Sequence, residues 1–347
     1  MMGVVFLGDR KVAVKEFPDP EPKKDEVVVR MKVATICGSD MHVYRSSKEE
    51  LEKTRPKDLI AGHEPSGVVE KVGECVENVS EGDRVSVFHI FGCGHCEMCR
   101  KGYPMYCTTP GGYHALSGDV NGCMADFLLV PSWVCMELPS ELSFFDGAIL
   151  GCAGMTAYQI LTKLEVTARD TVAIYGLGPL GDCAVILAKA LGAKVIGVDV
   201  VPERIRLAED LGLDVSINAK EKDPVKEIKD MTARKGGADI ALDFTGNPIA
   251  TNNAMRSVKP LGKVGVMGVG KGMTKPVIEP IVLISQGIWI TGVRVSNINL
   301  YFDCVDFMVK QGISFEKVVT HKFPLEKAQE AFQLFDTLKT GKIAFVW

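Results

Sequence analysis

The sequence predicts an α/β protein: a doubly wound parallel sheet covered by helices, joined to a β-rich unit. Three observations carry this. From about residue 150, strand-length apolar runs alternate with helix-length amphipathic runs. One such strand, 171–175, runs into a glycine-rich turn that opens a helix. Before residue 150, apolar and polar residues alternate over short stretches broken by prolines, which is the pattern of β-strands. At 347 residues the chain is too long for one typical core, so two domains are expected.

Taken in order, residues 3–7, 12–17 and 26–36 read as strands, punctuated by Pro18, Pro20 and Pro22. Further strands are expected near 66–73, 84–90 and 125–130, with Gly82-Asp83 turning the chain before one of them. A cysteine-rich excursion over 93–107 interrupts this β-rich half. Strands 171–175, 194–199, 214–217, 238–243 and 262–268 then alternate with helices 180–192, 202–211, 223–234 and 248–257. A tail from about 289 adds a strand, a helix near 300–311 and a closing pattern over 324–338 and 341–347.

Composition excludes several classes. A hydrophobic fraction of 46% with 24% charged residues is that of a soluble globular protein. The formal net charge of −4 argues against nucleic acid or an anionic membrane as the main partner. No apolar run is seen to approach the roughly 20 residues that span a bilayer. The apolar start, 1–6, gives way to Gly8-Asp9-Arg10-Lys11 too soon to be a signal peptide. Eleven cysteines without such a signal point to a reducing compartment, and the expected location is cytoplasmic.

The most specific local signal is Cys93, Cys96, Cys99 and Cys107, spaced C-x2-C-x2-C-x7-C among Gly, Pro and charged residues. Two-residue gaps let three thiolates converge from one tight loop, and the x7 segment folds back to supply the fourth. That is a tetrahedral zinc site with Zn–S distances of about 2.3 Å. Four thiolates leave no vacant position, so this zinc is a staple and not a reactive centre.

The second signal is Gly176-Leu-Gly178-Pro-Leu180-Gly181 between strand 171–175 and the next helix. Gly176 allows the tight turn, Gly178 admits a pyrophosphate to the backbone, and Gly181 lets helix and strand approach. Helix N–H groups then hold the phosphates. Asp199 ends the second strand 21 residues after Gly178, where an acid binds the adenosine ribose and repels a 2′-phosphate. NAD is therefore favoured over NADP. Arg204 is the nearby cation that opposes this, unless its helix turns it to solvent or to the adenine. Asp182 is an awkward neighbour for a pyrophosphate and is expected to point away from it.

A third constellation is scattered: Cys37-Gly-Ser39-Asp40-Met-His42, then Gly62-His63-Glu64, then Gly151-Cys152. Each alone reads more readily as a core thiol or a surface imidazole. Together with the cysteine lobe, the glycine turn and Asp243-Phe-Thr245-Gly246, they resemble the zinc-dependent medium-chain dehydrogenase/reductase superfamily of alcohol and polyol dehydrogenases. The resemblance covers essentially the whole chain. It implies a GroES-like catalytic domain over 1–150, a Rossmann NAD-binding domain over 151–288, and a segment 289–347 returning to the catalytic domain.

The resemblance further implies two zinc ions per chain. Cys37, His63 and Cys152 would bind the catalytic one, and Cys93, Cys96, Cys99 and Cys107 the structural one. The catalytic zinc would polarise an alcohol oxygen while hydride passes to NAD. Ser39 would accept the alcohol proton and pass it through the cofactor ribose to His42. Asp40 would orient the His63 ring, and Glu64 would sit beside the metal. Thr245, Val269 and Arg294 would line the cofactor. His89 either forms the pocket wall beside the zinc or ends a strand facing solvent.

The expected activity is reversible oxidation of an alcohol by NAD, on a secondary alcohol, a polyol or a sugar hydroxyl. The alternatives are a primary alcohol dehydrogenase, an L-threonine 3-dehydrogenase-like enzyme, and a non-catalytic zinc-stapled NAD sensor. Intact zinc ligands, Ser39 and His42 speak against the last. A small-molecule alcohol is the expected partner, and the resemblance suggests a homodimer or homotetramer. Cys75, Cys123, Cys135, Cys183 and Cys304 have no ligand spacing and are expected to be buried thiols.

Overall fold

The computed structural model describes residues 1–268 and 280–347, so Val269 lies outside the described residues. The chain forms two compact units, Met1–Met155 with Asn297–Trp347, and Thr156–Ser296.

The second unit is built on a six-stranded parallel sheet. Its order is Val215–Asn218, Lys194–Asp199, Thr171–Tyr175, Ala238–Asp243, Val258–Val266, Trp289–Gly292. In chain order that is 3-2-1-4-5-6, the doubly wound dinucleotide-binding topology. Thr171–Tyr175 and Ala238–Asp243 are buried at every position, which is why they read as unbroken apolar runs. Four helices, Pro179–Ala190, Pro202–Asp210, Pro224–Met231 and Pro248–Ser257, begin on proline. Proline at the first helical position lacks only an N–H that would have gone unpaired. The strand order reverses between Thr171–Tyr175 and Ala238–Asp243, and the glycine turn lies at that switch point.

Two expected boundaries are corrected. Trp289–Gly292 pairs in parallel with Val258–Val266, so it belongs to the dinucleotide unit and not to the returning tail. The division falls after Ser296 and not after residue 288. At the other end, one helix runs from Phe144 to Lys163, through the expected break at 150. The sequence reading missed this helix. It is long and apolar enough to cross a membrane, yet 78% of its most apolar window is buried within the protein. A capping box between Ser143 and Asp146 starts it, and a π-helical turn, Leu150–Gly154, interrupts it.

The first unit is centred on a seven-stranded sheet. Val319–Phe323, Lys342–Val346, Glu26–Thr35, Pro65–Val72, Arg84–Val87 and Cys135–Glu137 lie side by side, and Phe127–Pro131 also pairs with Glu26–Thr35. Val27, Val29, Met31, Val69, Val85 and Phe345 are buried within this unit. The C-terminal strand runs antiparallel to Glu26–Thr35, pairing Ala344 with Thr35. That pairing brings Lys342 to the segment that carries Cys37.

Candidate functional site

The four lobe cysteines converge: their sulfur atoms all lie within 4.8 Å of one another. Cys96 and Cys107 Sγ are 3.8 Å apart, the edge of a tetrahedron with arms of about 2.3 Å. The short helix Glu97–Arg100 presents Cys99, the one buried member. Polar donors already face the sulfurs: Thr109 Oγ1 approaches Cys93 Sγ at 3.1 Å and the Cys96 N–H reaches it at 3.3 Å. Backbone bonds at Cys99 and Thr108 push the Cys96 thiol down to about 5, while burial pushes Cys99 up to about 12. A central divalent cation would let all four ionise together. The donor set fits a closed zinc site.

The second cluster brings Cys37, His63, Glu64 and Cys152 within the same 4.8 Å limit. Each comes from a different local device. Cys37 follows strand Glu26–Thr35, its N–H held by Asp40 Oδ2 at 2.9 Å. The other Asp40 oxygen accepts from His63 Nδ1 at 3.0 Å, which turns Nε2 into the cluster. Asp40 is itself only 3% exposed. Cys152 is offered by the π-helical turn, a distortion that recurs at functional sites. The Cys152 thiol hydrogen bond holds Cys37 well below the ordinary thiol range, and the same bond, with burial, drives Cys152 well above it. Burial opposes a charged His63, but Asp40 and Cys37 together raise it well above its usual value.

Glu64 is fully buried. Its Oε2 accepts from Thr35 Oγ1 and Lys342 Nζ, and Oε1 has no hydrogen-bond partner among the described residues. Burial raises the carboxyl to about 7, against the pull of Lys342. Two half-buried thiols, a buried imidazole nitrogen and a buried carboxylate oxygen in one cluster fit a zinc ion that keeps a position exchangeable.

Ser39 Oγ lies 3.2 Å from His63 Nε2, at the edge of the cluster. His42 is three residues on in the helix Asp40–Arg45, so the two side chains share a face. His89 is buried at 6% exposure, its Nδ1 donating to the Gly151 carbonyl at 2.8 Å. Its ring centre is 5.0 Å from that of His63. The reading of His89 as a strand-end residue facing solvent is thereby excluded.

In the other unit Gly176 has φ +95°, a left-handed conformation that favours glycine. A side-chain carbon on Gly181 would lie 2.0 Å from the Gly176 carbonyl oxygen. Leu180 stands half-buried in the first helical turn. Asp199 Oδ2 accepts from the Leu177 N–H at 2.8 Å, and Oδ1 from Val200 and Val201 at 2.6 and 2.9 Å. A carboxylate has about four acceptor positions, so one remains, on Oδ2, for a ribose hydroxyl. Thr245 lies beside Gly176, its Cγ2 2.9 Å from where a Gly176 side chain would start. The residues fit a dinucleotide.

The alcohol dehydrogenase GroES-like domain family matches residues 23–140, and the zinc-binding dehydrogenase family matches residues 179–310. A zinc-type alcohol dehydrogenase-like protein of Escherichia coli K12, YphC, is 35% identical over 99% of this chain and 98% of its own. This chain belongs to the zinc-dependent medium-chain dehydrogenases/reductases. An L-threonine 3-dehydrogenase of Legionella pneumophila is 30% identical over 96% of both chains. The alcohol dehydrogenase TADH of Thermus sp. ATN1 superposes with a TM-score of 0.90 at 29% identity, over 100% of this chain and 99% of its own. The protein is accordingly a zinc-dependent oxidoreductase acting on alcohols, with a nicotinamide dinucleotide as cofactor.

The remaining residues named from the sequence lie as follows, and of the expected buried thiols Cys75 is the exception. Arg204 is half-buried: its Nε is buried, and its guanidinium carbon lies 3.6 Å from where a Gly178 side chain would begin, within van der Waals contact of the glycine turn. Arg294 is exposed just beyond Trp289–Gly292. Cys75 is exposed, whereas Cys123, Cys135, Cys183 and Cys304 are buried. Lys342 and Thr35 were missed. A lysine in an otherwise apolar closing strand, Lys342–Val346, is the one signal that could have found the first.

Proposed function

We propose that the enzyme oxidises a secondary alcohol bearing a polar group beside the carbinol carbon, as in polyols, sugars and L-threonine, with NAD as the acceptor. The observation that carries this is the buried His89 imidazole next to His63, a polar wall where a hydrocarbon substrate would need an apolar one. When bound, zinc polarises the alcohol oxygen and NAD accepts the hydride.

The chain's own residues do the rest. Cys37, His63 and Cys152 hold the metal, Asp40 fixes the imidazole, and Glu64 offers an exchangeable oxygen. Ser39 takes the alcohol proton, and His42 on the same helix face receives it for release. Gly176, Gly178, Leu180 and Gly181 seat the pyrophosphate. The remaining acceptor position of Asp199 suits a free 2′-hydroxyl and repels a 2′-phosphate, which supports NAD over NADP. Cysteine-ligated metals and further free thiols suit a reducing, cytoplasmic setting.

A homo-oligomer is part of this proposal. Trp289–Gly292 is the last strand of its sheet among the described residues, and Leu261, Ile281, Ile284 and Trp289 of the same unit are exposed apolar residues. An apolar sheet edge of that kind suits pairing with a second copy.

NAD reduction over a panel of hydrocarbon alcohols, polyols, sugars and L-threonine tests the substrate class. The expected result is the highest kcat/KM on a hydroxylated or aminated secondary alcohol, with His89→Leu reducing that preference. Faster turnover of simple hydrocarbon alcohols would refute it.

A further inference from the structure

Cys152 reaches the metal cluster from the least self-supporting stretch of its helix. The π-helical turn Leu150–Gly154 contains Gly151 and Gly154, and glycine disfavours any helix. Wide turns of this kind are also rare in themselves. Successive helical side chains point about 100° apart, so a turn that slipped by one residue would swing the Cys152 thiol away from Cys37 and His63.

Two contacts outside the helix hold the turn. Before Cys152, the Gly151 carbonyl accepts from His89 Nδ1 at 2.8 Å. After it, the Phe315 ring lies against Gly154. A side-chain carbon on Gly154 would stand 2.6 Å from Phe315 Cε2 and 3.2 Å from Cδ2, so the ring already fills that space. Phe315 and Gly154 are both buried. The metal-binding thiol therefore sits between two held residues.

Asp146 seats the ring. At the start of the same helix its Oδ2 serves the capping box, accepting from the Ser143 N–H at 2.8 Å and Ser143 Oγ at 2.9 Å. Its Oδ1 serves the returning tail instead, accepting from the Phe315 N–H at 2.6 Å and Ser314 Oγ at 2.9 Å. A cap requires only one of these oxygens. The other ties Phe315 to the helix that carries Cys152. We infer that Phe315 is a positioning residue for the catalytic metal: seated by Asp146, its ring holds the π-helical turn and so keeps Cys152 directed at Cys37 and His63. This rests on the reading of Cys37, His63 and Cys152 as zinc ligands.

Zinc retention by the full chain in competition with a chelator tests it, with the lobe zinc as an internal control. Phe315→Leu should weaken the cluster's hold on zinc about tenfold or more and leave the lobe's within about twofold. With cobalt in the cluster and zinc in the lobe, the same variant should lose sulfur-to-cobalt charge-transfer absorption as Cys152 withdraws. Gly154→Ala crowds the contact from the helix side and should act in the same direction. Combined with Phe315→Leu, which makes room for the methyl group, it should be no worse than either change alone. Asp146→Ala should follow Phe315→Leu. Native zinc affinity and cobalt absorption in Phe315→Leu, whatever its Tm, or an equal loss of both zinc ions, overturns the inference. A native chain that takes up zinc in the lobe alone would instead overturn the reading of the cluster itself.

Discussion

Lys342 and Glu64 form an ion pair shut off from solvent beside the metal cluster, with side-chain exposures of 1% and 0%. Lys342 also donates to the Ile36 carbonyl at 3.2 Å, one residue before Cys37. Burial opposes its charge, but Glu64, Cys37 and Cys152 together raise its pKa. Two thiolates would balance a divalent metal and Lys342 balances Glu64, which leaves the buried Asp40 carboxylate as the charge that faces the His63 imidazole.

Removing one partner of such a pair strands the other. Lys342→Met should cost about 3–5 kcal/mol of stability and lower the retention of the cluster's zinc. Adding Glu64→Gln should restore part of the loss, because no unpaired charge is then buried. Thermal unfolding and zinc content of the three variants check this. Strictly additive losses would show that the two residues act independently.

The two clusters should separate by metal counting. The native protein is expected to hold two zinc ions per chain. Cys107→Ser should lose one, fall in Tm, and keep kcat within about tenfold where it stays folded, because a saturated site does no chemistry. Cys152→Ala should lose the other and drop kcat by about a thousandfold or more with the fold retained. Equal activity in Cys152→Ala and the native protein would remove the catalytic assignment.

Gly181 tests the dinucleotide turn. A methyl group there meets the Gly176 carbonyl at 2.0 Å, and backbone cannot yield as a flexible side chain can. Gly181→Ala should cost about 1–3 kcal/mol and push the loop out of register. NADH affinity should fall more than about tenfold, measured by fluorescence titration. A native Kd in this variant would mean that the helix and the turn need not approach closely.

What the sequence made legible was what lies close along the chain. The lobe cysteines fall within fifteen consecutive positions, so their spacing alone implies convergence. The glycine turn and the proline-led helices are likewise local, each decided by a few residues. Lys342 was invisible because its partner is 278 positions away, and only the pairing of the C-terminal strand with Glu26–Thr35 joins them. His89 was ambiguous because its role depends on Gly151, whose carbonyl the π-helical turn aims at it. Trp289–Gly292 was assigned to the wrong unit because four residues carry no mark of which sheet they join.

Asp239 gives the dinucleotide unit an acid-sensitive clasp. Its side chain, 6% exposed, accepts from the Thr171 N–H at 2.8 Å, Lys235 Nζ at 2.7 Å and Lys259 Nζ at 2.6 Å. Burial favours the neutral acid, but the bonds from Lys235 and Lys259 outweigh it and hold the pKa below the ordinary aspartate value. A depressed folded-state pKa stabilises the protein above the unfolded value of about 3.9, and that contribution drains away as pH falls through the folded one. Asp239→Asn should therefore be less stable than the native protein at pH 7 by about 1–3 kcal/mol. The gap should narrow once pH falls below about 4 and close only as it passes the lower folded-state value, because the native acid then protonates too. Urea unfolding of both proteins across that range measures the gap. One that stays constant with pH would mean that the carboxylate's charge contributes nothing there.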